Sequence, residues 1–594
     1  MADDSSSQVK TSLGFFNTLL MVFAVVALFV GSFIIYNTFS IMVAQRKREN
    51  AVLRAIGASE RQVTSALLLE AVVMGLVGSL IGFGAGFGMA VLLRGLLGAV
   101  GIDMPDGGLV LLPRTVVASL AVGMVITVAS AVLPARRGAK VPPIAALRDE
   151  AVEQRGFSKR RFVSGMALLA VAVALVVAGL IVSIAVLGAG VALLFIALFV
   201  LGPLIARPVS RLLGAPVARW RGMSGELARE NSMRNPKRTA RTAAALMVGV
   251  ALVVAITVFA SSTKASIRSV FGKQFVGDFV VSTTTFGFGG LPVTLAPEIG
   301  AVDGVEAATG IQLGLARIDG RDTAVSVVDP ATVGKVFDFG LTQGSLADLG
   351  ADGVMLSTTE ADKRGVALGD TLALTFLDGS SHAVRVVGIY DKDELAGEYA
   401  IAKALYAASG ADQYDFSVFV TLTSGASSAA VEAEIRPLVE AYPFADLQSR
   451  HDYIESQAKQ IDTFVNLVYG LLALAVVIAV FGIANTLSLS VYERTRELGL
   501  LRAVGATRSQ VRSMVRWEAV ITALLGAVQG MVVGILLGWA VIVSLRDQGF
   551  TSFSVPVATM VVVLLIAIVC GVLAAARPAR RAARLDVLQA IASA

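Results

Sequence analysis

The sequence predicts a polytopic α-helical membrane protein with about nine spans, arranged as two parallel repeats, plus one α+β extracytoplasmic domain. Three observations predict this fold class: the hydropathy of the chain, an internal duplication and one long acidic segment. The 594 residues are 55% hydrophobic, with a mean hydropathy of +0.75. Several apolar runs exceed about 18 residues, the length that crosses a bilayer, and soluble domains do not have this composition.

The predicted spans are 14–43, 64–97, 114–134, 162–183, 187–206, 241–262, 461–491, 511–545 and 556–577. Only Gly188 and Gly190 interrupt the apolar run near the junction of the fourth and fifth spans, so one broken span is the alternative there. Basic residues precede the fourth span and also follow the fifth. Basic loops are cytoplasmic, so the chain must enter and leave on the same side of the membrane, which requires an even number of spans and favours two.

Positive charge sets the predicted orientation. Every second loop is rich in Lys and Arg, and such loops are cytoplasmic in bacterial membranes. The N-terminus is therefore expected outside and the C-terminus in the cytoplasm. The segment 263–460 holds 26 acidic and 14 basic residues, a net charge of −12, whereas the rest of the chain carries +18. It contains no span-length apolar run and is long enough to form a folded domain outside the membrane.

Residues 37–58 and 485–506 are two copies of one segment. The first is NTFSIMVAQRKRENAVLRAIGA and the second is NTLSLSVYERTRELGLLRAVGA, with 12 of 22 positions identical at a constant offset of 448. Each copy lies between two long apolar runs, and both cross the membrane in the same direction. A parallel repeat implies a pseudo-two-fold axis along the membrane normal. The duplication predicts two equivalent contact points for a partner that supplies force.

Each copy predicts a short amphipathic helix that ends at a glycine. In the first copy Leu53 and Ile56 give the helix an apolar side, and Gly57 suits a helix C-cap. The second copy repeats this pattern with Val504 and Gly505. One interpretation is a helix that lies flat among lipid headgroups. The duplication favours the other interpretation, which is docking onto two copies of a partner.

The span that follows each loop carries glycines four residues apart, a pattern that lets another helix approach closely. These helix-packing positions are Gly78, Gly82 and Gly86 in the first repeat and Gly526, Gly530 and Gly534 in the second. A sliding surface is the alternative, and it is compatible with packing. Glu70 and Glu518 lie about two turns into the same spans, where carboxylates are usually paired or functional. We expect ion pairs there, with proton coupling as the alternative.

Several kinds of site are excluded or disfavoured. No G-x-x-x-x-G-K-[ST] sequence occurs, so the chain has no phosphate-binding loop of this kind. The two histidines, His382 and His451, are far apart in sequence, and Cys570 is the single cysteine. A transition-metal site and an intrachain disulfide are therefore not expected. The acidic cluster DKDE at 391–394 is interpreted as a solvated turn, with a cation site as the alternative.

Within the acidic segment, short strands are predicted at 354–357, 371–376 and 382–390, with a hairpin turn at Asp378-Gly379. Helices are predicted at 359–364 and 426–442. Residues 264–280 and 453–464 are expected to continue their transmembrane helices outward as stalks.

Three segments resemble the FtsX-like permease domain of ABC transporters of the MacB/LolC type. They are ERTRELGLLRAVGATRSQV at 493–511, PARRAARLDVLQAI at 578–591 and the first-repeat counterpart RKRENAVLRAIGASERQV at 46–63. In addition, LARENSMRNPKRTARTAAAL at 227–246 resembles the cytosolic lead-in helix of two-repeat, actinobacterial-type permeases. The segment 263–460 is similar to the MacB-type periplasmic core domain. The resemblance covers about half of the chain.

The resemblance implies a permease subunit that is not itself an enzyme. Its loop helices at 46–58 and 493–506 would be coupling helices that dock onto a dimer of nucleotide-binding subunits. ATP and Mg would bind in that partner, and this chain would hold no cofactor. The implied ATPase-coupling residues are Arg46, Arg48, Glu49, Arg54, Gly57, Ala58, Arg494, Arg496, Glu497, Arg502, Gly505 and Ala506.

The predicted domains are a first FtsX-like repeat at 1–149, a two-span hairpin with an amphipathic linker at 150–240, a span at 241–262, a MacB-like domain at 263–460 and a second repeat at 461–594. The first repeat lacks the entering span and external domain that precede the second. The chain is therefore expected to be either a natural short form or an N-terminally truncated one.

Three functions are compatible with this organisation. The favoured one is an ABC permease that converts ATP-driven motion into export or extraction of a lipid, lipoprotein, peptide or drug. The alternatives are a regulator of cell-wall hydrolases and a bacitracin-type permease for peptide-antibiotic resistance or sensing. The expected partners are the ATPase dimer and the lipid bilayer of the bacterial cell membrane. An extracytoplasmic hydrolase or substrate-binding protein is a further candidate partner, and no nucleic acid is expected.

Overall fold

A computed structural model describes ten positions between 28 and 43, and residues 45–99, 111–140, 159–283, 290–411, 413–546 and 549–585. Contacts divide the chain into two compact units. The helical unit comprises Met1–Thr257, Leu467–Ala540 and Pro556–Ala594, and the β-rich unit comprises Val258–Asn466 and Val541–Val555.

The longer helices among the described residues are α1 Lys47–Ala55, α2 Glu60–Ala99, α3 Pro113–Ala139, α4 Lys159–Ile181, α5 Ile184–Arg221, α6 Met223–Arg234, α7 Pro236–Gln274, α8 Ser428–Glu440, α9 Arg450–Glu493, α10 Thr495–Ala503, α11 Arg508–Ser544 and α12 Val557–Ala583. In the described part of the chain, seven helices are long and apolar enough to cross a membrane: α2 to α5, α7, α11 and α12. The predicted span 461–491 lies within α9, while most of 14–43 lies outside the described residues. The chain is a multi-pass membrane protein.

The fourth and fifth predicted spans are separate helices, α4 and α5. The Ser183 hydroxyl caps α5 by accepting a hydrogen bond from the Val186 amide at 3.4 Å. The two helices pack backbone against backbone, because a Cβ added at Gly179 would lie 2.4 Å from the Leu187 nitrogen. The helical hairpin is therefore present, and the single broken span is not.

The lead-in segment predicted at 227–246 is not one helix. Helix α6 ends at Arg234, and α7 begins at Pro236 after a break at Asn235. Pro236 lacks an amide proton and restricts the backbone of the residue before it. The break is thus set by the Asn-Pro pair, which the resemblance alone did not identify.

The two duplicated loops close in the same way. Gly57 lies two residues after the end of α1 at φ +109°, and Gly505 lies two residues after the end of α10 at φ +111°, a backbone conformation that favours glycine. Immediately afterwards the Ser59 amide donates to the Gln62 side chain, and the Gln62 amide donates back to the Ser59 hydroxyl. Thr507 and Gln510 make the same reciprocal pair. Each pair is a capping box that starts the following span.

The β-rich unit is built around one mixed sheet. Its strands are β1 Phe279–Thr283, β2 Leu291–Pro292, β3 Val305–Ile318, β4 Arg321–Val328, β5 Leu341–Gly344, β6 Gly353–Ser357, β7 Thr371–Phe376, β8 Ser381–Tyr390, β9 Tyr399–Ala402, β10 Tyr414–Asp415, β11 Ser417–Leu422 and β12 Ala445–Ser449. The order is β12-β1-β11-β3-β4-β9-β6-β8-β5, with β7 against β3 and β8, while β2 and β10 form a separate pair. Helix α8 covers one end, burying Val431, Ile435 and Val439. The predicted α+β character is confirmed.

The hairpin predicted at Asp378-Gly379 joins β7 to β8, with Thr375 opposite Ser381. The stalk prediction for 264–280 extends too far, because α7 ends at Gln274 and Phe279 already begins β1. Phe275 ends the helix by entering the core of the β-rich unit, where it is fully buried and its ring lies 5.3 Å from that of Phe419.

The DKDE segment is not a simple solvated turn. Asp393 begins the short helix Asp393–Ala396, and Lys392 pairs with Asp338. Burial, reinforced by the nearby Glu394 carboxylate, raises the pKa of Asp393. In the described part of the chain, no cluster of three or more His, Cys, Asp or Glu side chains that could hold a metal is found.

Candidate functional site

Helices α1 and α10 each expose a pair of apolar side chains on one face. Val52 and Leu500 occupy matched positions, and each is 48% exposed. One turn later, Ile56 and Val504 are 77% and 88% exposed. Large aliphatic side chains this accessible at two equivalent positions indicate a contact surface. We call the pair Val52 and Ile56 the first knob, and the pair Leu500 and Val504 the second knob.

An arginine attaches each loop helix to the end of the third span of its own repeat. Arg54 donates a hydrogen bond to the carbonyl of Ala139 at 2.9 Å and lies 3.5 Å from Glu60. In the second repeat Arg502 donates to the carbonyl of Leu585. These arginines satisfy carbonyls at the ends of helices. Both predicted coupling residues thus have a positioning role within the repeat, which fixes each knob relative to the end of the third span.

The other predicted coupling residues occupy varied surroundings. Arg46 pairs with Glu70, while Arg494 contacts Glu497 at 2.9 Å and the side-chain oxygen of Asn231 at 2.7 Å. The side chains of Glu49, Arg496 and Glu497 are exposed, and those of Ala58 and Ala506 are partly buried. The side chain of Arg48 lies outside the described part of the structure. Their role at a partner interface stays a prediction.

Glu70 and Glu518 form the expected ion pairs, but their surroundings differ. Glu70 pairs with Arg46 at 2.6 Å, and its side chain is 43% exposed. Glu518 lies 3.0 Å from Arg238 of α7 and 3.5 Å from Arg494, and its side chain is only 7% exposed. A carboxylate with two arginines and little solvent is a fixed structural anchor, since removing one member leaves a buried charge unpaired.

The two glycine stripes also differ. In the second repeat, added Cβ atoms on Gly526, Gly530 and Gly534 would lie 2.5, 2.6 and 2.5 Å from backbone oxygens of α7. Helix α7 therefore packs directly onto this stripe. At Gly78 and Gly82, as at Gly86, the described residues place nothing within 4 Å. The packing role is present in the second repeat alone among the described residues.

The coupling residues predicted from the sequence are charged residues, glycines and alanines of the loops. Ile56 and Val504 were predicted only as part of an apolar side, and Val52 and Leu500 were not predicted. A signal for them exists, because two apolar residues four positions apart recur in both copies. The polar Asn50 and small Ala51 beside the first knob are buried instead. Assigning the apolar residues to a surface and the small residues to the interior requires the structure.

Two family models match the chain. One, described as FtsX-like permease C-terminal, matches residues 21–143 and 469–587. The other, described as MacB-like periplasmic core domain, matches residues 239–438. The first therefore covers both repeats, and the second covers nearly all of α7 and most of the β-rich unit.

An uncharacterized ABC transporter permease of Mycobacterium tuberculosis is 26% identical over 99% of this chain and 71% of its own length. A probable MacB export ATP-binding/permease protein of Pseudomonas entomophila is 33% identical, over 30% of this chain and 26% of its own length. This chain thus spans about a quarter of that second relative. The solved periplasmic region of MacB from Actinobacillus actinomycetemcomitans aligns with 32% of this chain and 97% of its own, at 12% identity and a TM-score of 0.25.

The membrane-length helices, the separate β-rich unit and the two family matches together indicate a membrane permease. The family matches give this class its name. The chain is a MacB-like ABC transporter permease whose two repeats match the FtsX-like permease model.

Proposed function

We propose that this chain transmits ATP-driven motion from a separate dimer of nucleotide-binding subunits to an extracytoplasmic domain at 263–460. ATP and Mg²⁺ bind in the partner, and the chain has no ATPase activity of its own. The cargo is a lipid, lipoprotein, peptide or drug that is exported or extracted. Two observations support the assignment of ATP binding to a partner. The chain contains no G-x-x-x-x-G-K-[ST] sequence, and the Pseudomonas relative is named as an ATP-binding/permease protein.

The observation that carries the proposal is the matched pair of knobs. Two equivalent apolar surfaces, each attached to its repeat by an arginine, suit a partner that offers two equivalent clefts. A lipid anchor does not require aliphatic side chains at equivalent positions of two repeats, whereas a symmetric dimer with two equivalent clefts does. The basic loops favour a cytoplasmic location for both knobs and for the C-terminus.

Two long helices support transmission across the membrane. Helices α7 and α9 contain 39 and 44 residues, which at about 1.5 Å per residue exceeds a hydrocarbon core of about 30 Å. In the β-rich unit they are joined by two ion pairs, Lys264 with Asp462 and Arg268 with Glu455. Two long helices joined by ion pairs suit the transmission of motion, in which the permease alternates between two states that differ in their contacts.

The test is ATP hydrolysis by the ATPase that co-purifies with the chain. We expect Ile56→Asp combined with Val504→Asp to lower permease-stimulated hydrolysis at least about tenfold, because a charge cannot enter an apolar cleft unpaired. Met223→Asp is the matched control, since Met223 is 76% exposed and lies outside both loop helices. Unchanged stimulation in the double variant, or an equal loss in the control, would refute the proposal.

A further inference from the structure

The helical unit contains a cavity of about 640 Å³ that both repeats line. Thr38 contributes from the first repeat, while Phe481, Asn485 and Ser488 of α9 and three arginines of α12 contribute from the second. By the offset of 448, Thr38 corresponds to Thr486, so matched segments of the two repeats face this region. The function proposed above assigns no role to this cavity.

The cavity has a polar end and an apolar end. Arg577, Arg580 and Arg581 lie in the last two turns of α12, the first of them 20 residues after Val557. That separation is about 30 Å of helix, the thickness of the hydrocarbon core, so the guanidinium groups lie at headgroup level. Phe481 lies on α9 at least two turns before the end of that helix, which places it on the hydrocarbon side.

The polar groups at the mouth have few partners among the described residues. Within the described residues, none of the three guanidinium groups makes an ion pair, and the Asn485 amide has no hydrogen-bond partner. Ser488 donates to the carbonyl of Ala484 at 2.8 Å, which leaves its oxygen free to accept. By contrast, Arg137 in the matching P-A-R-R sequence of the first repeat donates to the Tyr36 hydroxyl at 3.0 Å.

We propose that this cavity binds an anionic amphiphile. Its phosphate lies among Arg577, Arg580 and Arg581, since guanidinium groups bind phosphate oxygens in a fixed, bidentate geometry. Its hydrocarbon chain lies against Phe481 and Ala484. Arg502 of α10 contacts the end of α12, so the arginines of α12 and helix α10 lie on the same side of the membrane. The ligand therefore enters laterally from the leaflet on that side.

The test measures binding to the 594-residue chain in a non-ionic detergent by titration calorimetry, so no ATPase partner is needed. The probes are dioctanoyl phosphatidylglycerol and farnesyl phosphate, with dioctanoyl phosphatidylcholine as the zwitterionic comparison. We expect at least one anionic probe to bind at least about tenfold more tightly than phosphatidylcholine. Tighter phosphatidylglycerol binding identifies a membrane lipid as the source, and tighter farnesyl phosphate binding identifies a phosphorylated cargo.

Arg580→Gln combined with Arg581→Gln should weaken anionic binding at least about tenfold. The matched control, Arg136→Gln with Arg137→Gln, carries the same change in the same sequence of the first repeat and should change binding less than twofold. Ala484→Phe, which fills the apolar end without changing charge, should also weaken binding at least fivefold.

Three results would overturn the proposal. One is an equal loss of anionic binding in both arginine double variants, which would mean that the ligand is attracted by the overall positive charge of this side of the protein and not by this cavity. Another is full binding by Ala484→Phe together with displacement by inorganic phosphate at equal concentration, which would mean an anion site without an amphiphile. The third is equal affinity for phosphatidylcholine.

Discussion

The two repeats share a sequence pattern but not a packing environment. Their loop helices match in caps, in exposed knobs and in the arginine that holds them. Their spans differ, because α7 covers the glycine stripe and the glutamate of the second repeat. In the first repeat Glu70 stays 43% exposed, against 7% for Glu518. The two copies therefore agree in the loop that is proposed to contact a partner. They differ in the face of the following span, which α7 covers in the second repeat.

The largest expected effect separates the two glutamates. Glu518→Ala should lower the free energy of unfolding by about 3 kcal/mol, because Arg238 then lacks its buried partner. Glu70→Ala should cost less than about 1 kcal/mol, as for other exposed ion pairs. Thermal unfolding in detergent measures both. Equal losses would show that the two environments do not differ as the structure describes.

The glycine stripes give the next comparison. Gly530→Ala should cost about 2 kcal/mol, because its Cβ would lie 2.6 Å from the Met247 carbonyl oxygen and force the helices apart. Gly82→Ala should be neutral or stabilise by up to about 1 kcal/mol, since alanine favours helix and no described atom is near. The same unfolding assay applies. A destabilising Gly82→Ala would reveal a helix seated on the first stripe.

Glu360 is a buried carboxylate of the β-rich unit, outside the predicted spans. Its substitution provides a comparison for the loss of stability predicted at Glu518. Burial raises its pKa, but hydrogen bonds from Arg364 at 2.7 Å and the Tyr399 hydroxyl at 2.9 Å lower it further, so the pKa lies below its ordinary value. The resulting stability is present above the unfolded pKa of about 4.3 and is lost as pH falls through the lower folded pKa.

Glu360→Gln should therefore reduce stability at pH 7 by about 2 kcal/mol and flatten the loss of stability that we expect for the wild type below about pH 4. Melting of the β-rich unit between pH 7 and pH 3 is the measurement. A variant that keeps the wild-type acid sensitivity would show that other carboxylates control it.

The smallest effect should be equal in both repeats. Gly57→Ala and Gly505→Ala each meet open space, but both glycines have φ near +110°, so each change should cost about 1 kcal/mol of backbone strain. Unfolding of the two variants side by side tests this equality. A difference above about 1 kcal/mol would mean that the loops are not equivalent.

The sequence predicted those features that depend on local pattern. Long apolar runs identified the spans, and the Asp378-Gly379 turn identified a hairpin. It did not predict where α7 ends, because that depends on Phe275 entering a distant core. Nor could it show that Gly526 is covered while Gly78 is open, since both stripes have the same spacing. Long-range packing decided each point that the pattern left open.

The most direct test of the central claim is cross-linking between the knobs and the ATPase partner. Cys570 is the single cysteine, so Cys570→Ala provides a cysteine-free background for Ile56→Cys and Val504→Cys. A photoactivatable thiol reagent at each position, applied in membranes, should join both variants to a nucleotide-binding subunit, with Met223→Cys as the unlinked control. Cross-linking from one knob alone, or to lipid alone from both, would contradict the account.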